Sequence, residues 1–375
     1  MLPLNWGAIV HSWLVMFAKV YPFLEELRLK RMTITDESLD LLAKSFPGFK
    51  ALSLSMRDGF TEIGLKAIAS HCRNLTELNI QDCRTEERLV SRCKLLRVLK
   101  VNDRITLEQL QRLIVHVPLL TELGTGSFLQ EPTPRQYEEI ETAFCNCRNL
   151  QALSAKYPLQ SGEFAKFLAH CPNLRCLWVM DSVEDKGLEA VGSSYPLLEE
   201  LRVYPADPYD RHHRDGVTEL GFLAVSRGCP KLHYVLYFCR RMTNAAVVTR
   251  VHNCPDFTHF RLCIMTPYQP DYLTNGPLDD GFGAVVKTCT KIKRLSVSGL
   301  LTDQTFAYIG KYAKDLDTLS AAFGGSSDLG MQCVLEGCPK LRKLEIRDCP
   351  FGDSALVSGR EKYEMMRSLW SHRAV

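Results

Sequence analysis

A repeating α/β solenoid, with one short strand and one helix per unit, is the fold class this 375-residue sequence predicts. Three observations predict it. The pattern apolar-x-x-apolar-x-apolar starts at Leu24, Phe49, Leu75, Leu96, Leu120, Leu150, Leu174, Leu198, Leu232, Phe257, Ile292, Leu316 and Leu341, with a frayed copy at Met366. Most of the spacings are 24 to 26 residues. Eight starts carry a cysteine three residues earlier: Cys72, Cys93, Cys147, Cys171, Cys229, Cys254, Cys289 and Cys338. A strand and a helix of ~25 residues cannot bury their own apolar faces, but stacked copies can. The reading is a single leucine-rich-repeat domain over residues 1–375, of about 14 repeats with the first and last incomplete. A curved parallel sheet forms its concave face and helices lie outside.

Each element follows from its residues. Trp6 to Val20 is apolar, but it lacks a basic leader, contains His11 and is shorter than the roughly 20 residues a spanning helix needs. It reads as a buried helix, and no membrane partner is expected. Leu24-Glu-Glu-Leu27-Arg-Leu29 alternates in and out, the period of a strand. Thr35-Asp36 and Thr302-Asp303 have the chemistry of helix N-caps. Leu65, Ile68 and Ala69 then fall on one helical face. Each helix closes on the cysteine position, with Pro172, Pro230, Pro255 and Pro339 just beyond. Cysteines placed so regularly read as core residues of a reducing compartment. No CxxC pair or zinc spacing occurs, so no metal is expected.

The register breaks in three places, with spacings of 30 after Leu120, 34 after Leu198 and 35 after Phe257. The extra residues follow the strands. Two of these loops, Tyr204–Asp215 and Ile264–Gly276, combine stiffening prolines with tyrosines, the mix of a recognition loop. The alternative is a drifted insertion without a role. Arg250 also breaks a rule. It stands four residues before Cys254, a slot occupied elsewhere by Ile68, Leu89, Phe167, Val225, Val285 and Val334. Unless it snorkels out, an unpaired charge there weakens its repeat.

A net charge of +3 is too small to argue for nucleic acid. Charge placement says more. Arg28, Lys30, Lys100, Arg202, Arg261, Arg294, Arg342, Arg347 and Arg367 fall at or beside outward strand positions. Gathered on one face, they suit a compact polyanion or a carboxylate. Catalysis has little to build on. His212 and His213 lack a partner nucleophile, and Gly124-Thr-Gly126 is too short for a phosphate loop. The protein is expected not to be an enzyme.

Several long stretches carry a resemblance: LEELRLKRM (24–32), LEELRVYPADPY (198–209), HYVLYFCRRMTNAAVV (233–248), FTHFRLCIM (257–265), PDYLTNGPLDDGFGAVV (270–286), LSVSGLLTD (295–303) and LRKLEIRDCPFGD (341–353). Across roughly residues 6 to 370, the chain resembles the plant auxin receptor F-box family, the transport inhibitor response and auxin signalling F-box proteins. Members recognise substrates for a Skp1–cullin–F-box ubiquitin ligase in the nucleus. The resemblance implies that auxin lies over bound inositol hexakisphosphate and completes a docking surface for the degrons of Aux/IAA repressors. It places Arg261 on the auxin carboxylate, Ser296 beside it, and Leu262, Ala321 and Ala322 around the ring. Lys30, Arg31, Arg202, Arg294, Arg342 and Arg367 would face the inositol phosphates. Tyr209, Phe238, Cys263, Glu345 and Arg347 would meet the degron.

The chain also departs from that family. Before the first strand it reads as one repeat helix, not as a three-helix F-box, so a Skp1-like adaptor is not expected to dock on these residues. The first-repeat loop whose His and Phe close the auxin pocket in relatives is also missing. Repeat material is shorter than in relatives near residues 81–88 and 155–159, and the family pattern ends after Trp370. Ala321 stands where relatives have Val, which slightly enlarges the pocket. The alternative to the ligase role is a truncated paralogue, at most a binding module.

Overall fold

The computed structural model describes residues 7–30, 33–55, 59–80, 92–101, 107–125, 134–155, 161–207, 216–352, 360–363 and 366–372. Backbone contacts divide the chain into two compact units. One comprises Met1–Leu159 with Lys166–Leu174, and the other Gln160–Ala165 with Arg175–Val375.

In the first unit the strands are β1 (Glu26–Lys30), β2 (Ala51–Ser55), β3 (Glu77–Asn79), β4 (Val98–Lys100), β5 (Glu122–Thr125) and β6 (Ala152–Ala155). Each pairs in parallel with the next. The second unit holds β7 (Cys176–Met180), β8 (Glu200–Tyr204), β9 (Tyr234–Cys239), β10 (His259–Ile264), β11 (Arg294–Ser298), β12 (Thr318–Ala322), β13 (Lys343–Arg347) and β14 (Ser368–His372). These too pair in sequence order, all parallel. Every strand begins two residues after a repeat start, including β14 after the frayed copy at Met366. Helices alternate with the strands, which makes the fold a leucine-rich-repeat α/β architecture.

The repeat residues form the core. Leu75, Leu96, Leu120, Leu174, Leu198 and Leu232 are wholly buried, and so are the eight register cysteines. Burial raises the Cys72, Cys171 and Cys289 thiols to about 12, so they remain protonated core side chains. Where the cysteine is absent, Phe46, Val117, Tyr195 and Ala313 fill the same layer. Neighbouring helices approach closely at glycines. A Cβ on Gly337 would stand 2.1 Å from the Gly310 carbonyl oxygen, so alanine does not fit there without a shift.

A polar ladder joins successive helix N-termini. Thr35, Thr61, Thr218, Thr243, Thr302 and Ser327 each cap their own helix through the side-chain oxygen. In several repeats the acidic residue after the cap then holds the next cap. Asp36 accepts from the Thr61 amide and hydroxyl, at 2.7 Å each. Asp303 accepts from the Ser326 and Ser327 amides and the Ser327 hydroxyl. Partial burial pushes the Asp36 and Asp303 carboxyls up. Their hydrogen-bond donors outweigh it and hold both below the ordinary value of 3.8.

One expectation needs correction. Gly7–Val20 is a helix, but among its described side chains only Leu14 is deeply buried; Trp13, Met16 and Val20 stay exposed. A single helix can bury only the stripe it turns to a neighbour, here the helix Asp36–Ser45. Arg250 does not snorkel. It is 0% exposed, one of its Nη atoms donates to the Phe222 carbonyl at 3.0 Å, and the guanidinium lies 4.6 Å from the Phe222 ring centre. Nε and the other Nη have no partner, and burial lowers its pKa. Outside the described residues lie Arg31, Tyr209, His212, His213, Leu89, Gly126, most of the 204–215 loop, and the shortened stretches near 81–88 and 156–159.

Replacing Arg250 with Ile should stabilise the protein by about 1–3 kcal/mol, read as a higher denaturation midpoint. Asp303→Asn should cost about 1 kcal/mol in urea titrations at neutral pH. Because the folded carboxyl sits below its unfolded value, that difference is complete above the ordinary Asp pKa. It should fade as pH falls through the folded value.

Candidate functional site

Strand alternation turns one set of side chains to the core and the other to the polar sheet face. In the second unit two register rows matter. Arg202, Leu236, Arg261, Ser296, Ser320, Glu345 and Trp370 align across β8 to β14. Two residues nearer the strand starts lie Glu200, Tyr234, His259, Arg294, Thr318, Lys343 and Ser368.

A cavity of about 800 Å³ opens on the first row and beyond it. Its origin lies in the sheet. β10 pairs with β9 over six residues but with β11 over only three, ending at Arg261 and Ser296. Past that point the strands part, and the Ser298 hydroxyl substitutes for the ladder. It accepts from the Ile264 amide at 2.6 Å and donates to the Leu262 carbonyl at 3.4 Å. The 35-residue interval between the two repeat starts supplies the loop that follows β10.

Arg261 is half-buried in this gap, and its Nε donates to the Ser296 hydroxyl at 3.1 Å. No ion pair engages Arg261 among the described residues. Phe238, Cys263, Ala322, Glu345 and Arg347 line the same cavity. Glu345 is held by Lys343 at 2.7 Å, Phe238 stacks on Tyr204, and burial pushes the Cys263 thiol up to about 11. The structure therefore gathers both the auxin-assigned and most of the degron-assigned residues. Leu262 and Ala321 line the cavity as well, though almost wholly buried. Each is 1% exposed, because alternation points its side chain into the core, and the cavity meets these positions along the backbone.

The sequence reading missed Phe323, Trp370, Pro267 and Met265 in the lining. Phe323 has φ +59°, a strained value for a bulky residue, directly before Gly324. That conformation sets its ring edge-on against exposed Tyr268, 5.8 Å away. The loop after β10 thus reaches one side of the cavity with Tyr268, while Tyr272 donates to Glu219 on the other side of β10. The phenylalanine ahead of two glycines was the available signal.

At the strand-start end, a second cavity of about 1080 Å³ gathers Arg294, Arg342 and Arg367 with Lys293, Lys340 and His259. Lys340 pairs with Asp315 at 2.5 Å. The three arginines make no ion pair among the described residues. Arg202 is not part of this set. Its Nε binds Glu200 at 2.6 Å, and its guanidinium is sandwiched 4.1 Å from Trp178 and 4.4 Å from Tyr234. Lys30 belongs to β1 in the other unit, and its side chain lies outside the described part. His259 extends the ring stack onto Tyr234, 4.8 Å away, and bonds Thr258 at 2.9 Å.

Together, these features define a class by geometry: a repeat scaffold presenting one arginine-lined cavity and one basic cavity. The comparisons agree with that class. The leucine-rich repeat family matches residues 337–358. The chain is 42% identical to a transport inhibitor response 1-like protein of Oryza sativa subsp. japonica, over 99% of this chain and 73% of that protein. It is 42% identical to F-box protein FBX14 of Arabidopsis thaliana, over 99% and 69%. A coronatine-insensitive protein homolog of Oryza sativa subsp. indica is 28% identical over 99% and 73%. Among solved structures, the yeast Rad7–Elc1 complex shares the fold, with TM-score 0.63 and 15% identity over 93% of this chain and 85% of that one. The chain belongs to the plant family of transport inhibitor response-like F-box leucine-rich-repeat proteins.

Burial, with Arg294, His233 and Arg202 nearby, outweighs Glu200 and holds His259 below its ordinary 6.5. The ring is therefore neutral at neutral pH and gains charge as pH falls. Sulfate affinity at the basic cavity should rise from neutral to mildly acidic pH, read by calorimetry, and His259→Asn should flatten that rise.

Proposed function

We propose that this chain is the substrate-recognition part of a Skp1–cullin–F-box ubiquitin ligase acting in auxin signalling in the nucleus. In this reading, Arg261 takes the carboxylate of auxin with its Nη atoms while Ser296 fixes its Nε. The ring of the hormone then lies between the strands, against the β10 and β12 backbone and Ala322. An Aux/IAA degron covers it and meets Phe238, Cys263, Glu345 and Arg347 on the rim. Inositol hexakisphosphate fills the basic cavity against Arg294, Arg342 and Arg367.

One observation carries this reading: a half-buried arginine, oriented by a hydroxyl and without a carboxylate partner among the described residues, faces a cavity of about 800 Å³. A desolvated carboxylate needs such a fixed cation, and bidentate guanidinium geometry supplies it. Many phosphates likewise need several unpaired arginines. The family's own names include both transport inhibitor response and coronatine-insensitive proteins, so the test compares auxin with coronatine.

Titration of the full chain with an Aux/IAA degron peptide should give binding that depends on auxin. Arg261→Ala should weaken it about 10- to 100-fold, the range for losing a charge-assisted hydrogen bond. Peptide binding that is indifferent to auxin would refute the assignment, and dependence on coronatine alone would replace the hormone. Arg342→Ala should weaken inositol hexakisphosphate more than Arg202→Ala, because Arg202 is already paired with Glu200. Recovery of a Skp1-like adaptor on the chain would support ligase assembly; its failure to bind would leave a recognition module.

A further inference from the structure

Cys145 stands apart from the register cysteines. It is exposed at the end of the helix Pro134–Phe144, whereas Cys147, two residues on, is 1% exposed and its thiol is raised to about 12 by burial. In the next repeat, His170 follows the helix Ser161–Leu168 and meets Cys145 across the outer surface of the same compact unit. The Sγ atom lies 3.5 Å from His170 Nδ1 and 3.7 Å from Nε2. Glu141, one helical turn before Cys145, brings Oε1 to 3.7 Å from His170 Nε2. Phe144 and Phe167, with ring centres 5.7 Å apart, pin the two helix ends beneath the cluster.

We infer that Cys145, His170 and Glu141 form a thiol modification site that reacts with hydrogen peroxide. The arrangement is nucleophile, base and carboxylate in contact. With Nε2–H turned to the Glu141 carboxylate, Nδ1 is the unprotonated nitrogen, and at 3.5 Å from the sulfur it can receive the thiol proton. The Glu141 carboxylate then stabilises the imidazolium. The thiolate attacks one peroxide oxygen, an S–O bond forms and the O–O bond breaks. The departing hydroxide takes the proton from His170 and leaves as water. Sulfur loses two electrons, peroxide gains them, and Cys145 becomes a sulfenic acid. The site is separate from both cavities and uses none of the residues that line them. The register cysteines are shielded from this chemistry by burial and by their raised pKa values.

The test treats the full folded chain with hydrogen peroxide, traps sulfenic acid with dimedone, and locates the adduct by peptide mass spectrometry. Iodoacetamide alkylation rates against pH give a second readout. Cys145 should trap first, and Cys145→Ser should remove that adduct. His170→Gln should slow both sulfenic acid trapping and alkylation of Cys145 at neutral pH, because it removes the base in contact with the sulfur. Glu141→Gln should slow both by less. Circular dichroism checks that each variant keeps its fold, which separates lost activation from lost structure. A trapping and alkylation rate unchanged by His170→Gln, or a register cysteine trapped before Cys145, would overturn the inference.

Discussion

Backbone hydrogen bonding between one repeat and the next is the constraint on which the rest depends. Ahead of most strands, two successive amides converge on one carbonyl of the preceding repeat. Lys50 and Ala51 bind the Glu25 oxygen, and Thr76 and Glu77 bind that of Lys50. In the second unit, Lys293 and Arg294 bind Thr258, and Arg342 and Lys343 bind Asp317. A buried amide must be paired, so these contacts fix the starting register of each strand. Once the register is fixed, every outward side chain has an assigned row. The long insertions then fall in the segments after the strands.

That constraint explains why the site lies where it does. The helices are locked at their N-termini by the aspartate and threonine ladder and at their C-termini by the buried cysteine layer. The strand starts are locked by the paired amides. Only the strand exits are free to part, and β10 parts from β11 there. The separation costs ladder hydrogen bonds, which the Ser298 hydroxyl partly replaces. In return it exposes backbone and a half-buried arginine between two strands, a place where a small ligand can reach polar groups without opening the core.

The basic cavity has a different origin. It needs no gap, only outward cations at neighbouring strand starts, and Arg294, Arg342 and Arg367 supply them; the repeat between Arg294 and Arg342 contributes Asp317. Arg202 shows how an arginine of similar placement can be spent on structure. Its charge is met by Glu200, and its flat faces are covered by Trp178 and Tyr234. Arg250 is the opposite case, a cation inside the helical layer with two donors unmatched. Aromatic faces and a single carbonyl accept it, but they do not replace a carboxylate.

By itself, the sequence determined the beat. Apolar residues spaced for burial cannot be satisfied except by stacking, so all fourteen strand positions follow from the repeat starts. It also placed Arg261 and Ser296 on the polar face, because strand alternation has a period of two. That same rule turns Leu262 and Ala321 inward, so they border the cavity while almost wholly buried. Only the tertiary structure decided where β10 and β11 separate, that Phe323 swings toward Tyr268, and that Arg202 is already neutralised while its neighbours are not. Those outcomes depend on pairing between residues distant along the chain, and a linear pattern gives a residue's row without saying which partner will occupy it.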